Sequence, residues 1–583
     1  MNTIQYQVSN KNAHRHFIQL HGVFPTMGQS QLKLRLASWR PGRYEMGSFA
    51  KNVRCWRVMA PDGRQLSYSK TASHQWVVNT EGHNQIVIDY EYYAAELNAG
   101  SSFMDENQLY INPVNCFLYL PDFQQLPYEV NFDLPPTYHI ATGLSRTNDH
   151  ALAAINFDEL ADCPLIATEQ MVHEVYESCG VLFNIWIQGG YAFDMNRFKR
   201  DMKNFTDLQI ELFGSIPCKD YHFLYHFVPG FLRHGVEHSN STVIAMGPKS
   251  DFQTEGLYND LLGISCHELY HTWNVKCIRP AEMLPYDFAH ANYARTGYVY
   301  EGVTTYYGDL LLWRCDLFSD TEWLKVVDEH MHDHYWNPGR FSLSVAESSI
   351  DTWLDGYSQG IPWRKVSIYN EGFLISMILD IRIMDYTNGK HSLDDVMRAL
   401  YERFGKMNRG YSEDDFWSIV REFGGTDSMD IRRLAETACD YATEINDALQ
   451  RVGCSVIEMP SSKWSEAWLG MIVDESAQKA EVQMVWPDSP ADRAGLWRDD
   501  EIINVNGFLP YKNFQLQLQE RDEIVLTYIR KGKVLTTKIQ PAESPIITRT
   551  RVMERLDLTD RQRKLYECWK KRLREPFENN ALN

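Results

Sequence analysis

The chain has 583 residues, long enough to bury several hydrophobic cores, and its 44% apolar and 23% charged residues form an ordinary globular balance that excludes extensive disorder. Its 57 basic against 77 acidic side chains leave a net charge of −20, which repels phosphate backbones and anionic membranes and excludes nucleic acid and membrane as general partners. No run approaches the about 18 apolar residues of a membrane span, the first residues lack the basic-then-apolar pattern of a secretion signal, and the 11 cysteines are scattered without a CxxC pair. They read as reduced core thiols of a cytoplasmic protein.

To about residue 170 the pattern predicts β structure. Gln31-Leu-Lys-Leu-Arg-Leu36 and Gln85-Ile-Val-Ile-Asp-Tyr90 alternate as half-buried strands do, with turns at Pro41-Gly42 and Asp62-Gly63. No reactive residues are grouped here at a recognisable spacing, so the stretch reads as a scaffold flanking a site made elsewhere. From about 180 to 450 helices are expected, with periodic segments at 206–213, 258–273, 301–316 and 372–384. Ser392 and Ser412 open two more, each hydroxyl capping a free N–H ahead of Asp394-Asp395 or Glu413-Asp414-Asp415, and Gly424-Gly425 stops the second. Strand character returns at 482–486 and 523–529, and Lys531-Gly532-Lys533 reads as a hairpin turn. A final helix is expected from Thr559, with Gln562 as its capping-box partner.

The chemistry concentrates in His267-Glu268-Leu269-Tyr270-His271. Residues four apart share one helix face, so both imidazoles can reach one Zn²⁺, while Glu268 can reach a water rather than the ion. Leu261, Leu262 and Trp273 can bury the opposite side. Glu301, before Gly302 at the head of a second helical stretch, would complete a His₂Glu set of the thermolysin-like kind. Its bland alternative is an acid placed near a helix N-terminus for dipole reasons. His330, His332 and His334 read as a polar helix end, Cys266 as a buried thiol off the ligand face, and Lys276 and Arg279 as cations equally able to be structural; all are left out of the site.

These segments resemble the glycyl aminopeptidase family of zinc metallopeptidases, gluzincins with a C-terminal PDZ domain, over nearly the whole chain. The resemblance rests on Ser38-Trp-Arg-Pro-Gly42 with Phe49-Ala-Lys-Asn-Val53, on Gly235-Val-Glu-His-Ser-Asn-Ser-Thr242, on His267 through Pro280, and on Glu301 through Tyr307. It implies a multidomain α+β chain: an N-terminal β-rich domain at 1–172, a thermolysin-like, mainly helical catalytic domain at 173–455, a PDZ domain at 456–545 and a helical tail at 546–583. It implies one Zn²⁺ per chain held by His267, His271 and Glu301, with Glu268 as general base, Tyr369 of Tyr369-Asn-Glu-Gly372 as oxyanion donor, and Glu237 as the group that pairs the substrate's free α-ammonium. Without the resemblance Glu237 reads as a solvated loop charge and Tyr369 as a core tyrosine. Two departures stand out: Glu371 where the family has lysine, and His234 where a glycine usually precedes the run.

The PDZ-like pattern lies in Asp488 through Leu496 and Asp500 through Gly507, with Trp468-Leu-Gly-Met471 placed like a carboxylate-binding loop; such a module either docks a peptide C-terminus or acts as a structural brace. The expected activity is removal of small N-terminal residues, glycine or alanine, from peptides with a free N-terminus. The alternatives are a zinc endopeptidase with PDZ-recruited substrates and a non-catalytic peptide-binding scaffold. Physiological substrate and oligomeric state are not written in the sequence.

Overall fold

The computed structural model describes residues 2–358, 360–426, 428–475, 480–510, 514–519 and 522–571. They divide into two compact units, one of Met1–Trp323, Pro338–Val452 and Asp560–Asn583, the other of Leu324–Asn337 and Gly453–Thr559.

The larger unit begins with β structure, as the alternation predicts. In the strand Gln85–Tyr93 every second residue is buried, so Ile86, Ile88, Tyr90 and Tyr92 face inward. It pairs with Phe17–Pro25 and Val53–Met59 inside a seven-stranded sheet, whose other strands include Ile4–Asn12 and Tyr128–Asp133. Gln31–Arg35 belongs to a smaller three-stranded sheet and buries Leu32 and Leu34.

The next stretch differs from expectation. Instead of helices from about 180, a five-stranded sheet is built in the order Val172–Ser178, Val181–Gln188, Asp220–Phe227, Ser241–Gly247, Leu232–Glu237, interrupted by one long helix, Met195–Phe213. Tyr221 through Phe227 and all of Ser241–Gly247 are buried, because these central strands, parallel to each other, are covered on both faces. They carry no period of two for a sequence reading to catch. The edge strand Leu232–Glu237 runs antiparallel to its neighbour and ends at Glu237.

Helices follow: Glu255–Tyr270, Gly302–Arg314, Ile368–Tyr386, Leu393–Leu400 and Glu413–Gly424. Ser392 and Ser412 cap theirs as expected, each in a reciprocal box with Asp395 or Asp415. Gly425, at φ +68°, ends the last of these. Two glycines let the second and third of these helices cross at backbone contact. A Cβ on Gly302 would collide with the Gly372 Cα, and one on Gly372 with Gly302. This crossing sets the start of one helix beside the start of the other. The terminal helix spans Asp560–Lys571, and residues 572–583 of the expected tail lie outside the described residues.

The smaller unit holds a five-stranded antiparallel sheet in the order Met471–Asp474, Ala480–Val485, Glu501–Val505, Ile524–Arg530, Lys533–Ile539, around a core that includes Met471, Val482, Ile502, Phe514 and Leu526. The hairpin turn is present, with Lys531 and Gly532 both left-handed, the geometry that matches strand twist. The Trp468–Met471 segment is not an open loop of free N–H groups: residues Ser465–Leu469 are helical, and the Gly470 N–H donates to the Glu466 carbonyl.

None of the 11 cysteines forms a disulfide. Cys116, Cys163, Cys266, Cys454 and Cys568 are core thiols, but Cys55 and Cys179 are exposed, on left-handed residues at a strand irregularity and a hairpin turn. No helix among the described residues is long and apolar enough to cross a membrane.

Candidate metal centre

The Glu255–Tyr270 helix, capped by Thr254, buries Leu261, Leu262 and Cys266 and carries His267 and Glu268 in its last turn; His271 follows as its C-cap, still helical in backbone. Gln209 fixes this turn by donating to the Cys266 carbonyl at 2.8 Å. Glu301 is the joint between the short helix Gly297–Tyr300 and the helix Gly302–Arg314, so its backbone is held by both.

The three expected ligands converge. His267 Nε2 and His271 Nε2 are 3.0 Å apart, and Glu301 Oε2 lies 3.4 Å from the second and 3.9 Å from the first. A tetrahedral ion with bonds of about 2.0–2.1 Å needs its ligand atoms about 3.3 Å apart, so the set fits Zn²⁺. Orientation fits too. His271 Nδ1 sits 2.7 Å from the Asn274 carbonyl, and donating there leaves Nε2 with a lone pair facing its partners. Glu301 Oε1 is occupied by the Tyr44 hydroxyl, which donates at 2.8 Å, leaving Oε2 for the imidazoles.

Charge supports a cation. Burial, with His271 and Arg233 nearby, holds His267 well below the usual imidazole range, as a neutral ligand. Burial also pulls His271 down, but the adjoining Glu301 carboxylate, with Glu237 and Glu268, outweighs it and lifts that imidazole to about 10. Surroundings that hold a proton so firmly are equally suited to a metal ion. Among the described residues, the other group with metal-like spacing is Glu237, Glu268 and His271, with one ligand atom from each within 4.8 Å. His330, His332 and His334 form no such group.

Glu268 is 5% exposed and its Oε2 has no hydrogen-bond partner. Burial pushes its carboxyl well above the ordinary range, opposed by His271 and reinforced by Glu237 and Glu301. The edge strand lies directly over it: a Cβ on Gly235 would strike Glu268 Oε1. Glu237 is 3% exposed, not solvated, with Oε1 unpartnered. Tyr369, in the first turn of its helix, interacts with the Tyr357 hydroxyl and feels the Glu301 and Glu237 charges; burial keeps it protonated, a donor. Glu371, the departure from lysine, is buried and interacts with Tyr441. Lys276 pairs with Asp162 at 2.6 Å and Arg279 lies over the Tyr286 ring, so both are structural cations.

Several contributors escaped the sequence reading. The loop Arg40–Tyr44 of the β region reaches into the centre: Gly42, at φ +79°, leaves room for the Glu237 carboxylate, and Tyr44 holds Glu301. Asn274 donates to the Val299 carbonyl at 2.9 Å, tying the turn after His271 to the segment before Glu301. Asp162 accepts from Lys276, from Ser239 N–H at 3.0 Å and from His238, clamping the turn that follows Glu237. The quoted segments contain Arg40, Gly42 and Asn274, but no spacing rule links them to partners so distant in sequence.

Residues 5–169 match the peptidase M61 N-terminal domain and residues 260–375 the M61 glycyl aminopeptidase domain. The fold is that of an aminopeptidase N family protein from Idiomarina loihiensis, at a TM-score of 0.89 and 24% identity, covering 97% of this chain and 100% of that one. An M1 zinc metallopeptidase from Deinococcus radiodurans aligns at a TM-score of 0.47 and 13% identity, covering 75% of this chain and 94% of that one. No curated protein matches.

Proposed function

Because the chain carries both M61 peptidase domains, we propose that it is a zinc-dependent aminopeptidase of the gluzincin type, removing small N-terminal residues such as glycine or alanine from peptides. The observation that carries this reading is the convergence of His267 Nε2, His271 Nε2 and Glu301 Oε2 beside the buried, unpartnered Glu268 carboxylate. His267, His271 and Glu301 would hold one Zn²⁺, which when bound acts as a Lewis acid on the scissile carbonyl and on water. Glu268 takes the proton of the attacking water and returns it to the leaving amine; its raised affinity for a proton suits both halves of that task. Tyr369 donates to the oxygen that becomes negative as the carbonyl turns tetrahedral. Glu237 pairs the substrate's α-ammonium, so that cleavage falls one residue from the N-terminus. Its burial at the end of the edge strand supports this over an endopeptidase, which has no use for a desolvated carboxylate at that place.

We assign 1–172, 173–455 and 456–545 to the β-rich, catalytic and PDZ-type regions; of the helical tail expected at 546–583, Thr548–Glu554 is instead a strand paired with Cys454–Pro460 in the smaller unit, and the helix begins at Asp560. The sheet of the smaller unit is compatible with a PDZ-type module, but the internally bonded Gly470 N–H speaks against docking of a peptide carboxylate at that residue.

The test is hydrolysis of aminoacyl reporters with free and acetylated N-termini, with and without chelator, together with zinc analysis of the protein. Chelator-sensitive release from free glycyl and alanyl reporters alone is expected. Equal cleavage of blocked reporters, or absence of zinc, refutes the reading.

A further inference from the structure

Arg40 is a buried cation that no carboxylate among the described residues contacts, the Glu237 charge acting on it only from beyond ion-pair distance. It is 4% exposed, and its guanidinium makes one long hydrogen bond, from Nη1 to the Pro41 carbonyl at 3.4 Å, with no ion pair among the described residues. Leaving a guanidinium so placed is costly unless an anion joins it. Its surroundings are shaped for the planar group: it lies against Gly100, where any Cβ would collide with Nη2 and Nε. Asn115 holds that strip by donating to the Gly100 carbonyl at 3.0 Å. The guanidinium forms part of the wall of a cavity of about 450 Å³, which also presents Arg43, Lys51, Glu45, Glu96 and Asn115. Arg43 is already paired with Glu45, so among the described residues Arg40 and Lys51 are the cations of the cavity wall without an ion pair.

The cavity and the metal centre share one loop. Arg40 opens a tight turn, its carbonyl accepting from the Arg43 N–H at 3.2 Å. At the tip Gly42 abuts Glu237. Beyond it Arg43 stacks over the Tyr357 ring at 4.6 Å, the Tyr44 N–H donates to the Tyr357 hydroxyl at 3.3 Å, and the Tyr44 hydroxyl reaches Glu301. A peptide whose ammonium rests on Glu237 therefore lies against the turn whose base offers the guanidinium.

We propose that the Arg40 cavity is a subsite that recognises a carboxylate of the substrate, either the C-terminal carboxylate of a short peptide or the side-chain carboxylate of an acidic residue. The proposal rests on the aminopeptidase reading above and narrows its substrates to short or acidic peptides. Arg40 supplies a planar fork that can pair both oxygens of a carboxylate, with Lys51 as the second cation of the same wall.

Calorimetric titration of the zinc-loaded full chain carrying Glu268→Gln, which halts turnover, separates the two sources. The ligands are Gly-Gly-Gly against its C-terminal amide, and Glu-Gly amide against Gln-Gly amide. Preference for the carboxylate member of one pair by about tenfold or more is expected. Arg40→Gln should erase it. Arg40→Lys, which keeps the charge but not the fork, should reduce it several-fold, and this variant decides the matter should the first fail to fold. Absence of preference in both pairs, or a preference undiminished in either variant, overturns the proposal. Turnover of a glycyl reporter by the unsubstituted protein tests the aminopeptidase reading separately, and the binding preference is read whatever its result.

Discussion

The contact between Tyr44 and Glu301 makes a demanding test of the metal centre, because one partner comes from the β-rich region. Tyr44 is 1% exposed and its hydroxyl donates to Glu301 Oε1 at 2.8 Å. Burial and the adjoining carboxylate keep the phenol protonated, so it remains a donor at any working pH. Tyr44→Phe removes only that hydroxyl. The ring keeps its packing on Tyr300 and Trp353, at centroid distances of 5.1 and 6.1 Å, and the backbone N–H keeps its bond to Tyr357. A buried hydrogen bond to a charged acceptor contributes about 1.5–3 kcal/mol, or roughly 10- to 150-fold in an equilibrium constant. That agrees with the about 10–100-fold typical of groups that orient metal ligands. Zinc affinity measured by competition with a chelator should therefore fall by about 10–100-fold, while the metal-free protein, which loses the same bond, is destabilised by no more than about 1.5–3 kcal/mol. Zinc affinity within twofold of the unsubstituted chain would refute the idea that Tyr44 orients Glu301 for a metal.

Glu268→Gln should retain zinc and lose at least about 100-fold in kcat, because it removes a general base that contributes about 10²–10⁴-fold; turnover with zinc retained and kcat unchanged would remove Glu268 from that role. Glu237→Ala should raise KM for free-amine peptides by about tenfold or more and narrow the discrimination against acetylated ones, as steady-state kinetics on paired reporters will read. Asp162→Asn should lower stability at neutral pH by about 3–5 kcal/mol in denaturant unfolding, since Lys276, with a side chain only 1% exposed, loses its partner. Burial alone would raise the Asp162 carboxyl, but Lys276 and His238 outweigh it and hold it well below the usual carboxylate range. Its contribution is thus fully present above the unfolded-state value of about 3.9 and lost as pH falls toward the folded one. The difference between the two proteins should shrink below about pH 4, and a constant difference would contradict the assignment.

What could be read from the sequence follows the range of the interactions. His267, Glu268 and His271 share one helical turn and Ser392 caps its own helix, so spacing alone exposes them. Glu301 and Tyr369 are placed by short segments, and the glycine in each, Gly302 next to Glu301 and Gly372 three residues after Tyr369, has its physical reason in the helix crossing. Tyr44 could not be placed that way, because its partner is 257 residues away, and Asp162 meets Lys276 across 114. The buried strands Asp220–Phe227 and Ser241–Gly247 were missed because they lack alternation, and with them the scaffold of the edge strand that presents Glu237.

The electrostatics of the centre give the exopeptidase reading its sharpest form. Glu237, Glu268 and Glu301 are all at most 5% exposed, and one oxygen each of Glu237 and Glu268 has no hydrogen-bond partner. Carboxylates so placed repel one another and gain from each positive charge that arrives. An ion held by the imidazoles and Glu301 would be one such charge, and a substrate's α-ammonium another. An acetylated N-terminus brings a neutral amide instead, which leaves Glu237 desolvated and unpaired at the Gly42 turn. Rejection of a blocked peptide then needs no steric barrier, because the penalty of the unpaired acid is itself the selectivity.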